Sequence, residues 1–245
     1  MQQTIERMSK MRMHQMAQIH HQRVNENLHQ DYSPEEYMSM LIDQEWEDRL
    51  SKKTNRLIAA ARFKAQTYLS DIDLKTNRSL DKDMMNKLGL LNFIKNKKNL
   101  ILTGPAGIGK SYIAQALGHQ ACIEGYKTLY QNTSRFMAVL KFAKMDGTYL
   151  KHLKKLNNTQ LLIMDDFGLS KMDNKEREVL MDIIEDRHAS KSTIIASQIP
   201  ISKWYEVIGE GTIADAILDR IINSAYRIEL KGKSLRGKAN IDMKN

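Results

Sequence analysis

The 245-residue chain holds one cysteine, three prolines and few aromatics (7%). With Cys122 alone there is no disulfide within the chain and no cysteine-held metal cluster. That usage suits a reducing compartment. No apolar run approaches the roughly 18 residues of a membrane span, and the opening MQQTIERMSK lacks the apolar stretch of an export signal. A cytoplasmic protein without membrane contact is expected. Glycine is absent before Gly89, and Pro34 is the only proline before it. A segment without turn-formers is most readily helical. A small all-α domain is therefore expected over residues 1–70, followed by a second domain over 71–245.

Acidic residues are the scarcer charge: 38 Lys and Arg stand against 29 Asp and Glu, a net +9. That balance is a weak pointer to a polyanion, most often nucleic acid. Arg49–Lys64 carries six basic residues and no acid. It reads as a solvated helix face or as a phosphate contact. The lysines of 141–155, with Tyr149 among them, leave the same choice between a solvated loop and a DNA-facing one. Ser33-Pro34-Glu35-Glu36 is a helix start with a capping box. Beyond it Met38, Ile42, Trp46, Leu50, Leu57 and Ala61 recur at helical spacing, a pattern expected to pack as core, with part of it able to dock a partner. His20 and His21 are adjacent, so they do not share a helix face as metal ligands do.

After residue 90 short apolar runs alternate with helix-length segments. Strands are expected at Asn99–Thr103, Thr128–Gln131, Gln160–Met164, Thr193–Ala196 and Arg227–Leu230. Helices are expected at Lys110–Glu124, Thr133–Met145 and Asp173–Ala189, the last with a capping box from Asp173 to Glu176. The alternation predicts an α/β domain with a parallel central sheet covered on both faces.

Gly104-Pro105-Ala106-Gly107-Ile108-Gly109-Lys110-Ser111 follows a strand and opens a helix, and it matches G-x-x-x-x-G-K-[ST]. Such a loop turns backbone N–H groups around phosphates, with the helix N-terminus adding partial positive charge. Lys110 is placed to neutralise β- and γ-phosphate oxygens, and Ser111 to ligate Mg2+. Leu161-Leu162-Ile163-Met164 ends in Asp165-Asp166 at the strand's C-terminal edge, where open α/β sheets bind ligands. Asp165 is the candidate metal ligand and Asp166 the group that orients or deprotonates the attacking water. Ser197-Gln198 ends a later strand and is either a γ-phosphate contact or a polar cap. Arg220 reads as a surface arginine or as a finger into a neighbouring subunit's site. Arg236 is a phosphate contact or tail charge.

Several stretches are far narrower than the phosphate loop: Asp43–Trp46 with the basic run behind it, LLIMDDFGL, Ile195–Glu210, Ala214–Ile221 and Arg227–Gly232. On these the chain resembles the IstB family of insertion-sequence ATP-binding helpers, within the DnaC-like branch of the AAA+ ATPases. The resemblance implies an AAA+ P-loop NTPase core behind a helical assembly and partner-binding domain. Gly104–Ser111 then stand as Walker A, Asp165 and Asp166 as Walker B, Ser197 or Gln198 as sensor I, Arg220 as the arginine finger and Arg236 as sensor II. It implies ATP with Mg2+ as cofactors, an ATPase activity, and assembly with further copies of the chain on double-stranded DNA. It also implies recruitment of an IstA-like transposase. The chain lacks the N-K-x-D guanine reader, which favours ATP over GTP. A DnaC-type replicative helicase loader and a DNA-bound scaffold without turnover are the alternatives.

Overall fold

The computed structural model describes residues 2–74, 80, 82–209, 211–223 and 225–235. The chain divides into two compact units, Met1–Arg56 and Leu57–Asn245, so residue 70 lies inside the second.

The first unit contains α1 (Gln2–Lys10), α2 (His14–Asn25) and most of α3 (Pro34–Ala61). The capping box that opens α3 is formed in both directions: Ser33 N–H donates to Glu36 Oε2 at 2.9 Å, and Glu36 N–H to Ser33 Oγ at 3.3 Å. The expected core stripe is corrected over its first four positions, while Leu57 is half-buried and Ala61 at its end is buried. Met38, Ile42, Trp46 and Leu50 are exposed, Trp46 by 67%. The side chains that turn inward are Leu41 and Glu45, which meet Met16 and Ala17 as the unit's buried residues. Steps of four advance about 40° per interval around a helix of 3.6 residues per turn, so such a row winds off any one face. Glu45 is buried because its Oε2 caps the start of α2, accepting from the N–H groups of Gln15 and Met16.

The second unit is built on a five-stranded sheet of order β2-β3-β4-β1-β5, parallel throughout. The strands are β1 (Asn99–Thr103), β2 (Thr128–Asn132), β3 (Leu161–Phe167), β4 (Ser192–Ser197) and β5 (Ala225–Glu229). Their central residues are apolar and buried, as expected where helices cover both faces. One buried cluster joins Leu100, Leu102, Ile163 and Ile194 to α6 (Lys110–Ile123). α4 (Lys82–Gly89) and α5 (Asn92–Lys95) pack on that side through Leu88 and Phe93. The other cluster joins Ile101, Leu162, Met164 and Ile195 to α7 (Thr133–Met145) and α9 (Asn174–Arg187). Leu156 of α8 (Tyr149–Asn157), Trp204 of α10 (Trp204–Ile208) and Ile217 of α11 (Thr212–Ile222) complete it. Asp173 and Glu176 form the predicted capping box of α9.

The basic segment at 141–155 is divided by its neighbours. Lys141 pairs with Asp173 and Glu176, and Lys144 with Glu178 and Asp182, all from α9 or its cap. Lys151, Lys154 and Lys155 stay exposed. In the first unit Arg49 pairs with Glu45 and Lys52 with Asp48.

Candidate nucleotide site

The loop after β1 and the ends of β3 and β4 meet at one edge of the sheet. Here a cavity of about 400 Å³ is lined by Gly107, Gly109, Lys110 and Ser111 from the loop, with Asp166 and Gln198 from the strand ends. The loop needs its glycines. A Cβ on Gly104, at φ +145°, would stand 2.4 Å from the Leu230 carbonyl oxygen. One on Gly107, at φ +78°, would strike the Ser234 hydroxyl. The chain after β5 thus lies against the loop, and Leu235 N–H donates to Gly107 O at 2.9 Å.

Lys110 is buried and folds back on the loop, donating to Gly104 O at 2.7 Å and Pro105 O at 2.8 Å. Ser111 Oγ donates to Asp165 Oδ1 at 2.8 Å. A hydroxyl beside a carboxylate is a hard oxygen pair of the kind Mg2+ takes, and the remaining positions of that ion go to water and phosphate. Among the described residues no cluster of three or more His, Cys, Asp or Glu exists to hold a transition metal. The site fits Mg2+ held by Ser111 and Asp165.

Asp165 and Asp166 straddle a bulge in β3, where the register with β4 shifts between Met164 and Phe167. Asp166 sits at φ +58°, and both carboxylates are reached from β2, Asp165 by Tyr130 and Asp166 by Asn132. The carboxylate of Asp166 accepts from Asn132 Nδ2 at 2.9 Å. Asn132 also caps α7, accepting from Arg135 N–H at 3.3 Å. Asp165 Oδ1 takes the Asp166 N–H at 3.0 Å, its Oδ2 takes the Tyr130 hydroxyl, and its backbone carbonyl takes Thr133 Oγ1 at 2.8 Å. Burial, and then Asp165, raise the Tyr130 phenol well above its usual pKa, so the hydroxyl stays a donor.

The two polar residues after β4 separate. Ser197 is buried, donates to Phe167 O at 2.8 Å and accepts from Ile199 N–H. Gln198 is exposed to the cavity. Arg220 does not join this group. Its Nε pairs with Glu185 at 2.8 Å, and it lies near Asn99, at the opposite end of β1 from the loop. Arg236 lies outside the described residues.

Residues not anticipated line the far side of the cavity: Asp71, Ile72 and Asp73 ahead of α4, Tyr112 of α6, and Leu235. Tyr112 reaches Asp71 Oδ2 at 3.5 Å. Ile72, Tyr112 and Leu235 form an apolar and aromatic wall of the kind that receives a base. Asn132 carried a local signal, a helix-capping residue at the C-terminal end of a strand. Ile72 carried none, because its approach to the loop is tertiary.

A glycine-rich loop between β1 and α6, paired with the carboxylates ending β3 on a parallel sheet of this strand order, defines a P-loop nucleotide-binding protein of the AAA+ class. The chain belongs to the IstB-like ATP binding protein family, whose model matches residues 6–242. It is 38% identical over 95% of both chains to the insertion sequence ATP-binding protein y4pL of Sinorhizobium fredii. It is 40% identical to the ATP-binding protein of insertion sequence IS1162 from Pseudomonas fluorescens, over 69% of this chain and 73% of that one. In fold it is similar to the DnaC helicase loader, with TM-score 0.54 and 19% identity, over 72% of this chain and 99% of that one. It is likewise similar to the replication initiator DnaA bound to AMPPCP and single-stranded DNA, with TM-score 0.58 and 17% identity, over 70% and 52%. No described helix is long and apolar enough to cross a membrane.

Proposed function

We propose that this protein is a Mg2+-dependent ATPase that helps an insertion-sequence transposase. In this reading it assembles with further copies of itself on double-stranded target DNA and recruits an IstA-like transposase, with ATP hydrolysis as the switch. The observation that carries it is the convergence of Lys110, Ser111, Asp166 and Gln198 on one cavity, with Asp165 bonded to Ser111 behind it. The insertion-sequence names of the relatives favour a transposase client over a helicase. The DnaC likeness carries the fold alone.

On this reading the loop N–H groups and the N-terminus of α6 hold the phosphates, and Lys110 leaves its two carbonyls to neutralise them. Ser111 and Asp165 would hold Mg2+, which would supply charge neutralisation at the terminal phosphates. Asp166, aimed by Asn132, accepts the proton of the attacking water, and Gln198 orients that water or the γ-phosphate. Ser197 is committed to backbone contacts, so Gln198 is the sensor of the two. Arg220, held near the opposite end of β1, serves only a neighbouring copy's nucleotide.

Asp166→Asn is expected to keep nucleotide affinity while turnover falls about 10²- to 10⁴-fold, the usual worth of a general base. Assemblies on DNA should then outlast those of the wild type. Phosphate release and native gels with labelled duplex measure both, and normal turnover in the variant refutes the role.

DNA binding should weaken steeply with salt, the logarithmic slope reporting phosphates neutralised at about 0.9 per contact. Lys151, Lys154 and Lys155 are the exposed candidates, because Lys141 and Lys144 are already paired. Replacing any one by alanine should lower the slope by about one. An unchanged slope in all three variants would move the interface elsewhere.

A further inference from the structure

Ser111 and the Asp166 N–H hold Oδ1 of Asp165. The opposite oxygen is held by a residue to which the mechanism gives no task. Tyr130 is buried in β2, two residues before Asn132, whose register partner is Asp165. Side chains two apart share a face of the sheet, so Tyr130 and Asn132 both point toward the acidic pair. Tyr130 donates to Oδ2 of Asp165, while Ser111 and the Asp166 N–H occupy Oδ1.

The Tyr130 ring is itself fixed. The Lys64 ammonium lies over its face, 5.4 Å from the centroid. The backbone N–H groups of Lys64 and Ala65 both bond to Gln115 Oε1 of α6, at 2.7 and 3.3 Å. A carboxylate otherwise turns freely about its last torsion. Here donors on both oxygens, from two different strands and the loop helix, leave it one orientation.

We infer that Tyr130 is a positioning residue for Asp165: its hydroxyl holds the carboxylate with Oδ1 turned to Ser111, and so sets the affinity of the nucleotide site for Mg2+. The inference rests on the nucleotide reading above. Donors behind a metal ligand commonly govern metal affinity by about 10- to 100-fold. A structural role alone, in which a buried phenol takes the nearest acceptor, would leave metal affinity untouched.

Tyr130→Phe removes one oxygen and keeps the ring and its Lys64 contact. A fluorescent ATP analogue is titrated onto wild type and variant, in EDTA and across a Mg2+ series, with the unfolding midpoint taken in the same buffers. The Mg2+ concentration for half the metal-dependent gain in affinity should rise about tenfold or more. Affinity in EDTA should stay the same, and saturating Mg2+ should restore wild-type binding. Direct counting of bound Mn2+ by electron paramagnetic resonance should show the same shift without any turnover. Asp165→Asn should abolish the metal-dependent gain, and Tyr130→Phe added to it should change nothing further. An unchanged half-saturation overturns the assignment to Tyr130, and so does an equal loss of affinity with and without Mg2+. A wild-type protein with no affinity for the analogue overturns the nucleotide reading itself, a different result from a metal-dependent wild type that Tyr130→Phe matches.

Discussion

Lys110→Ala should lose Mg-ATP affinity by about 100-fold or more, with turnover undetectable at ordinary ATP concentrations. The reasoning begins with where the ammonium sits. It is buried and donates to two loop carbonyls, Gly104 and Pro105. A triphosphate carries several negative charges into the same cradle, whose remaining donors are neutral backbone N–H groups. Removing the one loop cation leaves that charge to backbone dipoles and the Mg2+ that accompanies the nucleotide. Truncating one member of a buried, hydrogen-bonded charge pair costs about 2–5 kcal/mol, and about 2.7 kcal/mol is already a hundredfold.

The same substitution removes a brace from the loop, so stability must be read beside affinity. Gly104 is half-buried and Pro105 exposed, so water replaces the lost donor. The unfolding midpoint should therefore move little compared with the binding loss. Calorimetric titration with Mg-ATP and thermal unfolding of the same sample separate the two. Affinity within about threefold of wild type would remove Lys110 from the phosphate site.

What could be read from the chain alone was local chemistry. The phosphate loop, the two capping boxes and the apolar strands β1 and β4 each depend on residues within a few positions of one another, and they fell within a residue or two of expectation. The acidic pair was legible for the same reason, as two charges ending an apolar run. What escaped was set by pairing between distant segments. Tyr130 and Asn132 look like ordinary strand residues until the register of β2 against β3 is known. The wall of Ile72, Tyr112 and Leu235 needs three separate segments brought to one cavity. Lys141 and Lys144 read as unpaired lysines until α9 is placed beside them. The row on α3 misled from Met38 to Leu50 because steps of four do not keep to one face. Leu41 and Glu45, one position before Ile42 and Trp46, took the covered side.

Arg187 is the strongest case of a tertiary role hidden behind a plain sequence position, and it carries the largest expected loss of stability. In the chain it is one more basic residue in the last turn of a helix. In the fold it is buried, and every N–H of its guanidinium has an acceptor. Nε donates to Thr193 Oγ1 at 3.0 Å, one terminal nitrogen to the carbonyls of Leu156 and Thr159, and the other to those of Gln160 and Ser192. Those acceptors belong to the end of α8, the turn into β3 and the start of β4. One planar group thus ties together the segments entering the two central strands. No carboxylate is among the five, and burial lowers its pKa to about 9, leaving a cation at neutral pH. Arg187→Met fills much of the volume but takes the donor from five oxygens, of which only those of Leu156 and Gln160 have a further backbone N–H outside the sheet. The cost should be about 3–5 kcal/mol. For a unit of this size that is a fall of roughly 10 °C in the unfolding midpoint. Arg187→Lys should recover little, because three donors on a point charge do not span acceptors arranged for a planar fork. Urea unfolding at pH 7 measures both variants. A loss under about 1 kcal/mol in Arg187→Met would mean that water reaches those carbonyls and that the knot is not what holds the strand entrances together.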